Sequence, residues 1–205
     1  MNKVITPAPT AGDNSVQAFD VERVRKEFPI LGEEINGRPL VYLDSGASAQ
    51  KPRQVIDAMS TAMETYYANV HRGVHAMSQR STEAYEAART KIATFLNASS
   101  TNEIIFTSSA TEAINLVANA YGRKFLKAGD EIIVSHMEHH ANIVPWQLLR
   151  EEIGVVLRVA PIRDDGALDM EAYESLLGPK TKLVAMTHTS NALGTVVPIA
   201  DVIKK

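Results

Sequence analysis

The chain has 205 residues, 45% of them hydrophobic, and its 21 Lys and Arg against 24 Asp and Glu give a formal net charge of −3. The acidic balance argues against a nucleic-acid-binding surface, and no apolar run approaches the ~18 residues of a membrane span. The absence of cysteine excludes disulfides, cysteine-ligated zinc and a cysteine nucleophile within these residues. We therefore expect a soluble globular protein that binds neither nucleic acid nor membrane.

The first 18 residues, MNKVITPAPTAGDNSVQA, mix Pro, Ala, Thr, Gly and Asn without a sustained apolar stretch. A secretory signal peptide needs an apolar segment of about 7–15 residues, which is missing here. We therefore predict a flexible N-terminal arm over 1–18 and a cytoplasmic protein.

Residues 19–100 are predicted to form helices and a hairpin. Asp20 is placed to cap a short helix that Pro29 stops, the dipeptide Asn36-Gly37 favours a tight hairpin turn, and Leu40-Val41-Tyr42-Leu43 resembles a short strand. Two longer helices follow, the first opened by Pro52, and each has an apolar stripe at helical spacing that we expect to be buried. The stripes are Val55, Ile56, Met59, Met63 and Tyr66, then Tyr85, Ala88, Ile92, Phe95 and Leu96.

From residue 101 to the end, strands and helices alternate regularly. The predicted strands are Ile104–Phe106, Glu131–Ser135, Val155–Ala160 and Leu183–Thr187. The predicted helices are Thr111–Tyr121 closed by Gly122, Asn142–Ile153 closed by Gly154, Asp169–Leu177, and a last one opened by Pro198. This alternation indicates an α/β fold, a mostly parallel sheet with helices on both faces. Because the sequence ends inside a helix, we expect it to be truncated.

In parallel sheets, ligands bind at the carboxyl ends of the strands. The first such loop, residues 107–113, combines hydroxyl side chains with the start of a helix, where free N–H groups favour an anion such as phosphate. It matches neither glycine-rich nucleotide fingerprint. A helix cap with no ligand is the alternative interpretation.

The second loop contains three histidines and a glutamate: His136, Glu138, His139 and His140. Their spacing does not match the helical two-histidine zinc motif, so we predict no metal. An imidazole here can stack on an aromatic ring or move protons, or it is simply a polar surface residue. In the third loop, Asn191 can both donate and accept, although a lone Asn is often only a turn residue. A flat ring with a phosphate arm, such as pyridoxal phosphate, would satisfy all three loops.

Four longer motifs indicate a family, from about Phe19 to the last residue. The chain resembles the N-terminal half of cysteine desulfurases of the SufS type, which belong to the fold-type I pyridoxal-phosphate enzymes with an aspartate aminotransferase-like large domain. The motifs are YLDSGASAQKP at 42–52, VHRGVH at 70–75, ATEAINLV at 110–117 and MEHHANIVPW at 137–146.

The resemblance implies pyridoxal 5′-phosphate as cofactor and a role for each matching residue. Ala110 and Thr111 match the positions that hold the cofactor phosphate. His139 matches the histidine that stacks on the pyridine ring and is suspected in proton transfer, so it is also our catalytic candidate. Asn191 matches the residue near the phenolic oxygen and the substrate carboxylate, and Ala47 lies in a segment that borders the substrate.

The resemblance also implies a reaction and partners. Family members form homodimers, remove sulfur from L-cysteine, release alanine, and hold a persulfide that an acceptor protein of the SufE or SufU kind takes for iron–sulfur cluster assembly. The family's Asp-x-Ala-Gln segment, its Ser-x-His-Lys segment with the Schiff-base lysine, and its cysteine are missing here. We therefore expect that residues 101–205 are only the first part of the large domain, that its remainder and a C-terminal small domain are absent, and that this chain alone is inactive.

Two alternatives remain open from the sequence. The complete protein could be a selenocysteine lyase or another member of the class-V aminotransferase-like enzymes, which the missing half would decide. The chain could also be a natural, non-catalytic short form that acts as a binding partner.

Overall fold

The computed structural model describes residues 19–205, so the flexible arm predicted for 1–18 lies outside the described residues. The chain divides into two compact units, one ending at Leu96 and the other running from Asn97 to Lys205. Within residues 19–205, no helix combines the length and the apolar character needed to cross a membrane.

The first unit begins with the predicted helix and hairpin. The carboxylate of Asp20 accepts the backbone N–H of Arg23 at 2.9 Å and caps α1, Val21–Lys26. Strands β1, Glu34–Ile35, and β2, Arg38–Pro39, pair antiparallel across Asn36 and Gly37, whose φ angles are 55° and 71°. These two positive φ values are what the predicted Asn-Gly turn requires.

The strand predicted at Leu40–Leu43 does not form. The backbone N–H of Leu40 still donates to the Glu33 carbonyl at 2.9 Å, but the chain before Glu33 is the 3-10 helix Pro29–Gly32. The short apolar run therefore has no extended neighbour to continue the ladder. The side chain of Leu43 is 91% exposed.

Two long helices complete this unit: α2, Arg53–Thr65, and α3, Ala76–Phe95. The prediction that their apolar stripes are buried is wrong for the described residues, because α2 has no buried side chain and Phe95 is 83% exposed. The buried residues of α3 are instead Ser78, Ser81 and Ala93. Helical periodicity identifies an apolar face, but it does not say which part of a protein covers that face.

The second unit contains a parallel sheet of three strands, β3 (Glu131–Ser135), β4 (Val156–Ala160) and β5 (Thr181–Ala185), in the order β4-β3-β5. Its helical segments, in chain order, are a 3-10 turn Thr101–Glu103, α4 Ala110–Val117, a π-helical segment Ala118–Gly122, α5 Arg123–Phe125, a 3-10 turn His140–Asn142, α6 Val144–Ile153, α7 Met170–Leu176 and α8 Ile199–Lys204. The α/β prediction is confirmed.

Each face of the sheet has its own core, because successive residues of the central strand β3 point to opposite faces. On one face, Ile132 and Val134 pack with Trp146 of α6 and with Ala118. On the other face, Ile133 packs in a cluster that holds residues of α7 and α8, including Tyr173 and Val202. Helices therefore cover both faces, as the alternation of elements predicts.

Two predicted strands differ from the structure. Ile104–Phe106 is not a strand: Ile104 has extended dihedral angles, but the segment belongs to neither ladder of the described residues, so the sheet has three strands and not four. The last strand spans Thr181–Ala185, two residues earlier than predicted. The predicted end, Thr187, donates its backbone N–H to the carboxylate of Glu138 at 2.9 Å and not to a neighbouring strand.

Of the two glycines predicted to end helices, Gly154 does so and Gly122 does not. Gly154 has φ 77° and ends α6 in the left-handed conformation. Gly122, with φ −55°, does not end its helix, which widens into the π-helical segment and continues as α5. A Cβ at Gly122 would lie 2.5 Å from Cδ1 of Leu149, so this glycine allows close packing against α6. Just beyond it, Arg123 forms two hydrogen bonds with Glu152, of 2.9 and 2.8 Å.

Candidate functional site

The candidate site lies in the second unit, at the carboxyl ends of β3 and β5 and at the start of α4. Residues 136–142 follow β3, and residues 186–195 follow β5, its neighbour in the sheet. Helix α4 packs against the 3-10 turn His140–Asn142, which belongs to the first of these loops. This is the edge where α/β sheets bind ligands.

The start of α4 offers unused backbone donors. Ser109 caps the helix, and its hydroxyl accepts the N–H of Glu112 at 3.1 Å. The first backbone bond of the helix runs from Ala113 N to Ser109 O, at 3.0 Å. The N–H groups of Ala110 and Thr111 precede this bond and point out of the helix end, where the helix dipole favours an anion.

Glu112 takes up the neighbouring donors. Its carboxylate accepts both the backbone N–H of Ser108, at 2.6 Å, and the Ser108 hydroxyl. These two hydrogen bonds lower the pKa of Glu112 from its ordinary value, because they favour the ionised form. The donors at this helix end that remain for a ligand are therefore those of Ala110 and Thr111.

His139 is held in one orientation by the turn that it caps. Its Nδ1 accepts the backbone N–H of Ala141 at 3.1 Å, so a neutral ring carries its proton on Nε2. The side chain is exposed, and its ring is nearly perpendicular to the ring of His140, at 87° with centroids 6.2 Å apart. Nε2 is thus the atom that can donate to a ligand or exchange a proton with it.

The histidines of this loop do not converge on a common point. Within the part of the chain that the structure describes, no three His, Cys, Asp or Glu side chains are grouped so that they could hold a metal ion. Glu138 turns toward the sheet, where it accepts hydrogen bonds from Ser135 and Asn142.

Asn191 lies at the tip of a tight turn after β5. The turn is held by Ser190, whose buried hydroxyl accepts the N–H groups of Ala192 and Leu193 at 3.3 and 3.1 Å. Because Ser190 makes these bonds, the Asn191 amide is not needed to form the turn. Asn191 is exposed, and its amide can serve a ligand.

Ala47 lies in the first unit, in a turn where its own N–H and that of Ser48 donate to the Asp44 carbonyl, at 3.2 and 3.0 Å. The Tyr42 hydroxyl donates to the Ser48 carbonyl at 2.6 Å and supports the turn. Ala47 is exposed, and its assignment to substrate binding stays a prediction.

Sequence reasoning gave no structural role to Glu138, which accepts hydrogen bonds from both strand-end loops of the site. One carboxylate oxygen accepts the Thr187 N–H from the loop after β5, and the other accepts the Asn142 amide from its own loop. The sequence signal is weak: an acidic residue three positions after the buried Ser135 and four before Asn142. Its partner Thr187 lies 49 residues further along the chain, so no local pattern could identify it.

Comparisons with known proteins identify a family that this chain resembles over most of its length. Residues 41–205 match the family model described as aminotransferase class-V. A cysteine desulfurase of Dickeya dadantii (strain 3937) is 53% identical over 190 residues, which are 93% of this chain and 46% of that protein. A cysteine desulfurase of Serratia proteamaculans (strain 568) is 54% identical over 185 residues, 90% of this chain and 46% of that protein. The chain thus spans a little under half the length of these curated relatives.

Solved structures show the same partial match. The apo structure of a cysteine desulfurase from Thermococcus onnurineus NA1 superimposes with a TM-score of 0.81 at 38% identity, covering 90% of this chain and 44% of that one. The cysteine desulfurase CsdA of Escherichia coli, in its S-sulfonic acid form, superimposes with a TM-score of 0.75 at 38% identity, covering 89% of this chain and 45% of that one.

Proposed function

The chain belongs to the aminotransferase class-V family, and from this premise we propose that it is part of a cysteine desulfurase of the SufS type. The complete protein would use pyridoxal 5′-phosphate to convert L-cysteine into L-alanine and a persulfide. One observation carries the proposal: α4, whose first turn leaves backbone N–H groups for an anion, packs against the turn that follows His139, at the carboxyl ends of the parallel strands. The proposed substrate, L-cysteine, is inferred from the relatives that are named cysteine desulfurase.

The residues at this edge fit a phosphorylated pyridine ring. The N–H groups of Ala110 and Thr111, with the Thr111 hydroxyl, would hold the phosphate, and the exposed ring of His139 would lie against the pyridine. The Asn191 amide would donate to the phenolic oxygen or bind the substrate carboxylate. When bound, the cofactor withdraws electrons from the substrate.

His139 would move a proton at Nε2, because its Nδ1 is engaged with Ala141. The thiolate that accepts the sulfur would lie outside these 205 residues, which contain no cysteine. We further propose that the complete protein is a cytoplasmic homodimer, and that it passes its sulfur to an acceptor protein of the SufE or SufU kind for iron–sulfur cluster assembly. The family resemblance supports these three points.

The test uses the complete protein, expressed from its full reading frame and loaded with pyridoxal phosphate. With L-cysteine and a thiol reductant, we expect alanine and sulfide in equal amounts. L-serine, which has a hydroxyl in place of the thiol, is the matched control and should give neither sulfide nor persulfide. No alanine above the L-serine blank would overturn the proposal, and release of selenium from L-selenocysteine with none of sulfur from L-cysteine would assign a selenocysteine lyase instead.

Replacing Thr111 with alanine is expected to weaken the binding of pyridoxal phosphate by about tenfold, because a hydrogen bond to a charged phosphate is removed. The measurement is an absorbance titration of the complete apo protein. Thr111→Ser keeps the hydroxyl and should bind as the wild type does. Equal affinities for the alanine and serine variants would show that this hydroxyl does not contact the phosphate.

A further inference from the structure

Glu138 is a half-buried acid whose two carboxylate oxygens are both occupied. Oε1 accepts the hydroxyl of Ser135, the last residue of β3, and the backbone N–H of Thr187 at 2.9 Å. Oε2 accepts the Nδ2 group of Asn142 at 2.8 Å. With Trp146, which hydrogen-bonds to Asn142, these residues form what we call the Glu138 network.

The hydrogen bonds of the Glu138 network can be donated in only one direction. The indole N–H of Trp146 donates to Oδ1 of Asn142 at 3.1 Å, and an indole nitrogen can only donate. The Trp146 side chain is 2% exposed within the core, so it cannot turn away from Asn142. The Asn142 amide must therefore present Nδ2 to Glu138. A carboxylate at position 138 accepts at both oxygens and therefore satisfies the donors of Ser135, Thr187 and Asn142.

The position of the network gives it a role beyond local packing. Backbone pairing between β3 and β5 ends at Val134 and Ala185. Beyond that point, the carboxylate of Glu138 connects the two loops by accepting the N–H of Thr187. Glu138 directly precedes His139, and Thr187 begins the loop that leads to Asn191.

We propose that Glu138 is a positioning residue that sets the spacing between the His139 loop and the loop carrying Asn191. It thereby shapes the pocket in which the cofactor ring and the substrate carboxylate would sit. This inference rests on the proposed function, since it assigns those two loops to one ligand. Because both of its oxygens already accept hydrogen bonds within the protein, Glu138 acts through its neighbours and not on the reacting atoms.

The central variant is Glu138→Gln in the complete protein. The Oε1 atom of the introduced glutamine can still accept from Ser135 and Thr187, but its Nε2 would face Nδ2 of Asn142, donor against donor. Turning the Asn142 amide over would only move the conflict to the indole N–H of Trp146. We expect the apparent affinity for pyridoxal phosphate to fall about tenfold, because an unsatisfied, half-buried pair of donors would push the two loops apart.

The matched rescue is the double variant Glu138→Gln with Asn142→Asp. The Nε2 group of the introduced glutamine would then donate to one oxygen of the introduced aspartate, while the Trp146 indole donates to the other. Every hydrogen bond is restored and the net charge of the network is unchanged. We expect cofactor affinity within about threefold of the wild type. Asn142→Asp alone places two carboxylates side by side and should be impaired, which completes a double-mutant cycle.

A second readout needs no cofactor. Hydrogen exchange at the Thr187 amide, followed by mass spectrometry on a peptide covering 183–190, should be faster in Glu138→Gln by about tenfold and normal in the double variant. Glu171→Gln, an exposed glutamate in the first turn of α7, is the control and should change neither readout.

The outcomes separate this inference from the proposed function. Wild-type cofactor affinity in Glu138→Gln, or a double variant as weak as the single one, would overturn the positioning role. If the wild-type protein itself binds no pyridoxal phosphate, the proposed function fails, and the exchange rate at Thr187 alone decides whether Glu138 holds the two loops together. If Glu138→Gln does not fold and the added Asn142→Asp substitution restores folding, the result would support the proposed hydrogen-bond network.

Discussion

Replacing His139 with asparagine in the complete protein is expected to lower kcat/KM for L-cysteine by about a hundredfold to ten-thousandfold, the contribution of a positioned general acid–base. Asparagine can place its Oδ1 near the position of Nδ1 and still accept the Ala141 N–H, so the turn before α6 should persist. The variant would then lack only the ring and the proton on Nε2. Steady-state alanine formation measures the loss.

His140→Asn is the control for this prediction. His140 is the next residue, is also exposed, and has its ring nearly perpendicular to that of His139. We expect the control to retain activity within about threefold of the wild type, a change of under 1 kcal/mol in the barrier. A His139→Asn enzyme as active as the control would remove His139 from the proposed mechanism.

Replacing Trp146 with alanine is expected to lower the free energy of unfolding of the complete protein by about 3–5 kcal/mol. The indole is almost fully buried against Ile132 and Leu149, so its removal leaves a cavity in one of the two cores. The Asn142 amide also loses the donor that fixes its orientation. Denaturant unfolding, followed by far-UV circular dichroism, gives the change in stability.

Two controls divide this effect into its parts. Trp146→Phe keeps most of the buried surface and removes the indole N–H, so it should cost about 1–3 kcal/mol. Leu148→Ala lies on the same helix but is 50% exposed, and it should change stability by about 0.5 kcal/mol or less. Equal losses for Leu148→Ala and Trp146→Ala would contradict the assignment of Trp146 to the core.

The second unit was the more predictable part of the chain, because its signals are local. The strand Glu131–Ser135 is an apolar run that follows a Gly-Asp turn, and the structure has it at the same residues. Gly154 ends α6 in the left-handed conformation, which glycine adopts without the penalty that a Cβ would bring. Most of the α/β prediction therefore depends on turn residues that lie next to buried apolar runs in the sequence.

The failed predictions share a physical cause: each depended on which distant part of the chain packs against the segment in the folded protein. The segments 40–43 and 104–106 are apolar enough for strands, but pairing into a ladder depends on distant parts of the chain, and neither segment belongs to a ladder of the described residues. The apolar stripe of α2 has the right period and remains exposed. Glu138 was overlooked for the same reason, since its partner Thr187 is near it only in the folded chain.

The π-helical segment Ala118–Gly122 has a consequence for the register of the helix around it. A π turn holds one more residue than an α turn, so it rotates all later side chains by roughly 100° about the helix axis. Arg123 follows directly and makes its paired hydrogen bonds with Glu152 of α6 in that rotated position. Loss of one residue between Ala118 and Gly122 would restore regular α geometry and leave Arg123 facing Glu152, because the wide turn and the extra residue offset each other. The same number of residues wound as a regular α-helix would instead turn Arg123 away from Glu152 by roughly 100°. The π turn therefore lets one helix carry an extra residue after the start of α4 and still form the ion pair with α6.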